Sequence, residues 1–405
     1  MIGRRTFLGT ALAVAAASPL SAALRGKRWD DAAEVLERAT EKKQVDAAVL
    51  HVAHGDESYT RHFGKAASDD AMFLLGSISK PINVTAVMTL FDQGKFELQD
   101  RVKKFLPDFK GDGRDEVTIR HLLTHVSGLP DQLAKNNELR KKHAPLKEFA
   151  EQAIGTRLDF APGSRYQYSS MGILLAARIA EHISGSDILT LVDRKVFQPL
   201  GMKHSAQGLG RFKLEEMVSC QMEGAAPESG SGDPEAKDWD WNSSYWRKLG
   251  APWGGTHASA PDVARFLGEF LGARGKVVKP ETARLMVKNH NPKGFTPRGL
   301  GFGVGKEAGS PGCSEQTFGH TGSTGTLCWA DPACETICVV LTSLPSRAAQ
   351  RHPRELAAQR VAEAARLTDG VRQARPAHQA RFRPRFPVSV LEHGDPAGHA
   401  GCGSD

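Results

Sequence analysis

The chain has 405 residues, of which 40% are hydrophobic and 24% charged, and its formal net charge is +7. That length can bury one large core or two coupled ones, and no stretch is repetitive enough for a fibre. The basic residues are scattered rather than striped, which argues against nucleic acid as a partner. A basic surface suits contact with an anionic cell wall or membrane surface, but solubility is the usual explanation.

Arg4-Arg5-Thr6-Phe7-Leu8-Gly9 runs into an Ala-rich apolar stretch that ends at Pro19-Leu20-Ser21-Ala22-Ala23. Small residues make this stretch weakly hydrophobic for a membrane anchor, and its end offers a small-x-small site. The pattern predicts a twin-arginine-type export signal over residues 1–23, cleaved near Ala23. The expected location of the mature product is periplasmic or secreted.

Helical periodicity from Trp29 to Gln44 precedes two expected strands, Val45 to Val52 and Ser58 to Phe63. Between Ser77 and Asn291 helices dominate. They are expected from Ser77 to Gly94, Thr118 to Thr124, Leu146 to Ile154, Ser170 to Ile183, Ile188 to Val196 and Pro261 to Leu271. Strand patterns return at Gly301 to Val304, Gly325 to Ala330 and Thr336 to Thr342, before an amphipathic helix from Glu355 to Leu367.

The order implies an α+β fold. Residues 24–76 and 292–367 build an antiparallel sheet flanked by terminal helices, and a mainly helical segment, residues 77–291, is inserted between them. Active sites commonly lie in such a cleft. Glu223 to Asp240 reads as a mobile loop leading into Trp239, Trp241, Tyr245 and Trp246, aromatics that either line an acyl pocket or anchor the loop. Arg and Pro alternate from about Asp369, so residues 368–405 are expected to form a disordered tail.

Six cysteines are present: Cys220, Cys313, Cys328, Cys334, Cys338 and Cys402. Cys328 and Cys338 flank an expected hairpin turn at Asp331-Pro332 and could face each other across it, with Cys334 a competing partner. A zinc site lacks a second ligand pair at suitable spacing.

The chemistry concentrates in Ser77-Ile78-Ser79-Lys80, Tyr168-Ser169-Ser170 and His320-Thr321-Gly322. Residues three apart share a helix face, so Ser77 and Lys80 meet side by side and the pairing activates a hydroxyl. Ser77 also lies near a helix N-terminus, where backbone N–H groups favour an alkoxide and the oxyanion it generates. A helix cap would explain Ser77 but not a costly buried Lys80.

With His121-Leu122-Leu123-Thr124-His125-Val126-Ser127-Gly128-Leu129-Pro130, Phe160-Ala161-Pro162-Gly163 and Gly254-Gly255, these segments resemble the serine β-lactamase, penicillin-binding protein and family VIII esterase group. The class C branch is the nearest pattern, and the resemblance spans roughly Val45 to Leu344. It implies a β-lactamase/transpeptidase-like fold, an acyl-enzyme on Ser77, and Lys80 and Tyr168 as acid and base. The tyrosine relays the serine proton to the leaving group in the field of Lys80. The backbone N–H groups of Ser77 and Ser323 are the expected oxyanion hole.

Ser170 stands where that family more often has Asn. Its hydroxyl is expected to donate to Lys80 or to a substrate carbonyl. His320 with Thr321 and Gly322 replaces Lys-Thr-Gly, so a fixed cation is exchanged for a side chain only partly charged near neutral pH. Both departures favour carboxylic esters or D-amino-acid peptides over β-lactams. A β-lactamase or D-Ala-D-Ala carboxypeptidase remains an alternative, as does a non-catalytic penicillin-recognition or scaffold protein. No cofactor or metal is expected, since His121 and His125 lack the glutamate of a zinc motif.

Smaller expectations complete the reading. His51 and His54 are expected to be solvated, Tyr166 to be a core tyrosine, Gly301 and Gly303 to be strand glycines, and Ser259 with Asp262 to form a capping box after a structural Gly254-Gly255 turn.

Overall fold

The computed structural model describes residues 28–373; the expected export signal and most of the expected tail lie outside the described residues. A sheet in the strand order β2-β1-β9-β8-β7-β6 forms the base of the molecule. Its strands are β1 (Ala47–His54), β2 (Glu57–Gly64), β6 (Gly303–Val304), β7 (Phe318–Gly322), β8 (Thr326–Asp331) and β9 (Thr336–Thr342). Every neighbouring pair is antiparallel. Strands from both ends of the chain therefore share one sheet, since β1 pairs directly with β9.

One face of this sheet is covered by the terminal helices Asp30–Glu41 and Pro353–Gln373, which enclose an apolar layer with Leu36, Leu50, Trp329, Val340 and Val361. The other face joins the larger core, where Val49, Val339 and Leu341 meet Phe266 and Phe302. Alternating side chains of one strand thus feed two cores, as the period of two requires. The helix Ser79–Asp92 is buried on all sides along nearly its whole length, so it forms the axis of the helical part. A second small sheet, β3 (Phe73–Leu74), β5 (Thr256–Ala258) and β4 (Ser205–Gln207), ties the entry to that helix to more distant segments.

Several sequence expectations change here. β1 lies between β2 and β9, so His51 and His54 are buried; their Nδ1 atoms sit 2.8 Å from Thr60 Oγ1 and Thr336 Oγ1 respectively. Cys328 is opposite Val339 and Cys338 opposite Trp329, so the two thiols project to opposite faces, one into each core, and do not form a bridge. The last helix continues to Gln373 rather than ending at Leu367. The pattern after Ile188 resolves into a short helix, Ile188–Val192, followed by a π turn at Asp193–Phe197.

Ser259 Oγ accepts from Asp262 N, but the Asp262 carboxylate accepts from His204 N and Ser205 Oγ instead of returning to its own cap. It fastens β4 rather than closing a capping box. Gly301 lies outside β6 with φ +80°, and a Cβ there would come within 2.9 Å of the Val84 Cβ. Only glycine lets this segment pass so close to the nucleophile helix.

Candidate active site

Ser77 lies in a 3-10 turn, Gly76–Ile78, that runs directly into the Ser79–Asp92 helix. One turn on, Lys80 is fully buried, with its Nζ 2.9 Å from Ser77 Oγ and 2.9 Å from the Trp253 carbonyl. Ser79 points away and accepts from Thr256 N, fastening the turn to β5. The Gly254-Gly255 turn does more than redirect the chain, because it delivers the carbonyl that holds the lysine.

Lys80 also sits 4.8 Å from the centroid of the Tyr168 ring. Burial is the main reason its pKa falls to about 7, with Asp131 and Glu228 opposing the fall and Arg298 adding to it. Burial pushes the Tyr168 phenol in the opposite direction, well above its ordinary value, while its hydrogen bond with Ser77 pulls it back in part. Near neutrality the site therefore holds a titrating amine and a protonated phenol.

His125 sets the position of Tyr168. Its carbonyl accepts from Gln167 N and its Nδ1 from Ser169 N, bracketing the tyrosine, and its ring lies 4.6 Å from the Tyr168 ring. His121 serves its own helix, with Nδ1 accepting from Thr118 N. The two histidines noted for helical spacing are thus structural supports, and no metal-binding cluster occurs among the described residues.

Ser170 does not bond Lys80. Its N–H and Oγ both donate to Asp131 Oδ1, at 2.9 and 2.6 Å. The hydroxyl is taken up by the Asp131 carboxylate, whose charge also acts on Lys80. Nothing in the bare sequence marks Asp131; only its position after Gly128-Leu129-Pro130 could have prompted attention.

On the opposite wall, β7 pairs with β6 only at Phe318 and Gly319, so the edge of residues 320–322 has no strand partner on that side among the described residues. His320 is buried, and burial with the nearby cations Arg298 and Lys80 holds its pKa well below the ordinary value. The expected partial charge is therefore absent: His320 is a neutral ring with Nδ1 2.7 Å from the Thr321 carbonyl. A cation is still present, because Arg298 lies 5.4 Å from the Tyr168 ring centroid and donates through Nε and Nη2 to the Tyr166 hydroxyl. Tyr166 is thus a holder for Arg298, not a core tyrosine.

Gly76 has φ +56°, and a Cβ on it would lie 3.2 Å from Ser323 N. That close approach sets Ser323 N against the backbone immediately before Ser77. Thr324 and Thr326 hydroxyls donate to the Leu74 and Leu75 carbonyls and lock the two segments together. Behind them, buried Arg354 donates through Nη1 to the Gly322 and Thr326 carbonyls. The Gly322 carbonyl belongs to the same peptide unit as Ser323 N–H, so this guanidinium fixes and polarises that amide.

Ser77, Tyr168, Ser170 and His320–Ser323 open on one cleft of about 320 Å³, which Trp241, Trp246 and Trp253 also line. The expected mobile loop folds into short turns at Pro227–Ser229 and Ala236–Asp238. Its aromatics divide between the two anticipated roles. Trp241 and Trp246 line the cleft, while Trp239 is buried and Tyr245 donates to the Ala144 carbonyl as an anchor.

Comparison with known proteins identifies the family and the fold. The family model described as Beta-lactamase matches residues 32–363. Esterase EstB of Burkholderia gladioli is 34% identical over 185 residues, a match covering 40% of this chain and 47% of the esterase. A protein named "Putative D-alanyl-D-alanine carboxypeptidase" from Salmonella agona (strain SL483) is 28% identical over 307 residues, 69% of this chain and 71% of that one. Among solved structures, D-amino acid amidase from Ochrobactrum anthropi SV3 shares the fold with a TM-score of 0.70 at 21% identity, covering 84% of this chain and 99% of the amidase. With a sheet flanked by terminal helices, a helical insert and a Ser-x-x-Lys pair at their junction, the chain belongs to the beta-lactamase family of serine hydrolases.

Proposed function

We propose that this protein is an exported hydrolase that forms an acyl-Ser77 intermediate on carboxylic esters or D-amino-acid peptides. The observation that carries the reading is the fully buried Lys80 amine, 2.9 Å from Ser77 Oγ and titrating at about 7. An amine with that pKa is substantially neutral at physiological pH and can take the serine proton as Oγ attacks the acyl carbon. Tyr168, protonated and bonded to Ser77, passes a proton onward to the leaving group. The Ser77 and Ser323 N–H groups receive the developing oxyanion. The open edge of β7 offers main-chain pairing to an extended substrate.

Neutral His320 supports the preference for esters and amides over β-lactams. Arg298 supports one narrower reading, a D-Ala-D-Ala-type carboxypeptidase, because it supplies a fixed cation for a substrate carboxylate beside residues 320–322. Arg4-Arg5 and the apolar run after them support export. Fractionation of cells expressing the full chain, against an Arg4→Lys/Arg5→Lys version, tests export by whether the protein leaves the cytoplasm.

The activity is tested by time-resolved intact-mass analysis of the protein and its Ser77→Ala variant. Each is mixed with a p-nitrophenyl ester, a D-Ala-D-Ala peptide and a cephalosporin. Transient adducts confined to the Ser77 form, clearing fastest with the ester or the peptide, are expected. Absence of adduct and turnover with all three would replace this reading by the non-catalytic scaffold.

A further inference from the structure

Arg140 lies on the short helix Asn136–Lys141 and reaches the same cleft as Ser77. It is 1% exposed, and its guanidinium stacks on Trp246, 3.6 Å from the ring centroid. Neither Nε nor Nη1 has a hydrogen-bond partner. Burial lowers its pKa to about 9, and Glu228 acts against that fall through its field, so the group stays cationic near neutral pH.

A buried guanidinium with unused donors is costly. The other buried arginines among the described residues find acceptors even though each keeps one unpartnered nitrogen: Arg354 bonds the Gly322 and Thr326 carbonyls, and Arg247 bonds the Trp241 and Val218 carbonyls. Arg140 has a stacking face, two buried donors without acceptors, and a side chain that lines the substrate cleft. Each of those donors shares an edge of the guanidinium with Nη2, an edge of that kind matches a carboxylate bidentately, and the aromatic platform fixes its plane.

We propose that Arg140 on Trp246 is an anion subsite, and that preferred substrates carry a terminal carboxylate on the arm that lies along the tryptophan wall. The proposal rests on the acyl-transfer reading for Ser77 and adds to it the chemical class of the group bound away from the reacting bond. The arm is held by ionic contact and aromatic packing while Ser77 Oγ forms the acyl bond and the leaving group departs with its proton.

The test compares p-nitrophenyl half-esters of glutaric, adipic and pimelic acids with neutral monoacid esters of equal chain length, using the protein, Arg140→Lys and Arg140→Gln. The expected result is a kcat/KM preference of about tenfold or more for at least one acidic ester. The ratio should fall toward one in Arg140→Gln and stay intermediate in Arg140→Lys. Free glutarate, adipate and pimelate, measured by thermal shift, should raise the Tm of the protein and of Ser77→Ala but not of Arg140→Gln.

Equal rates for acidic and neutral esters, with no Tm shift from any diacid, would overturn the subsite while leaving the acyl-enzyme reading intact. A preference that survives in a folded Arg140→Gln would overturn it too. Failure of all ester turnover with a diacid shift retained would remove the acyl-transfer reading and keep the anion site.

Discussion

Lys80, behind Ser77, and Arg140, on the cleft that Ser77 lines, are two fully buried basic side chains, and they meet burial in opposite ways. Lys80 has partners in Ser77 Oγ and the Trp253 carbonyl and relieves its desolvation by titrating at about 7. Arg140 cannot shed its proton near neutrality; it has a tryptophan face and the field of Glu228, but no acceptor for its Nε or Nη1. The same physical cost thus leaves an amine that titrates near neutrality in one place and a cation with unpaired donors in the other. The difference lies in the intrinsic pKa of the side chain, since an ammonium can neutralise within reach of biological pH and a guanidinium cannot.

The sharpest break of this comparison is Lys80→Met. If the amine is the base, kcat/KM for an ester falls by roughly 10²- to 10⁴-fold. Thermal unfolding should show Tm unchanged or raised, because a desolvated amine is replaced by an apolar chain of similar length. A large loss of Tm would mean that Lys80 is structural.

Next in size is Arg354→Met. Losing an oxyanion donor outright costs about 10²- to 10³-fold in kcat. Releasing the peptide that carries Ser323 N–H should cost less, roughly tenfold, with partial recovery in Arg354→Lys. Steady-state kinetics should place the loss in kcat rather than KM; a pure KM effect would make Arg354 a binding residue.

The pH profile separates the charges around Lys80. Activity should rise through about pH 7 as the amine loses its proton. Asp131 raises the lysine pKa and Arg298 lowers it, so Asp131→Asn should move the limb to lower pH and Arg298→Gln to higher pH. Limbs moving in the same direction would sink this electrostatic account.

The smallest effect is reserved for His320→Gln. Since the ring is already neutral, the limb near pH 7 should stay in place, and a shift or loss of the limb would assign it to the histidine.

Much of the fold was legible because it rests on local periodicity. The helix at Leu146–Ile154 and the strand at Thr336–Thr342 have the bounds expected from patterning, since caps, turns and apolar spacing act over a few residues. The Ser77–Lys80 contact was legible for the same reason, as one helical turn brings the two together. β3, β4 and β5 went unread because strands of two or three residues exist only through their partners. The solvated reading of His51 and His54 failed because a strand's exposure depends on what lies on both sides of it. The turn at Asp331-Pro332 left the pairing of Cys328 open, because the register, not the turn, decides which face a strand residue takes.

The sequence by itself determined the Ser-x-x-Lys motif, the family pattern and the alternation of strands and helices, all of which are encoded in residues close together in the chain. Tertiary structure alone decided the charges and partners of the cleft. Asp131 took the place beside Ser170, Arg298 restored a cation beside His320, and Arg354 settled behind Ser323. Arg140 was left without an acceptor on Trp246. Burial and electrostatics sum over neighbours that are distant in the chain, so no local pattern announces them.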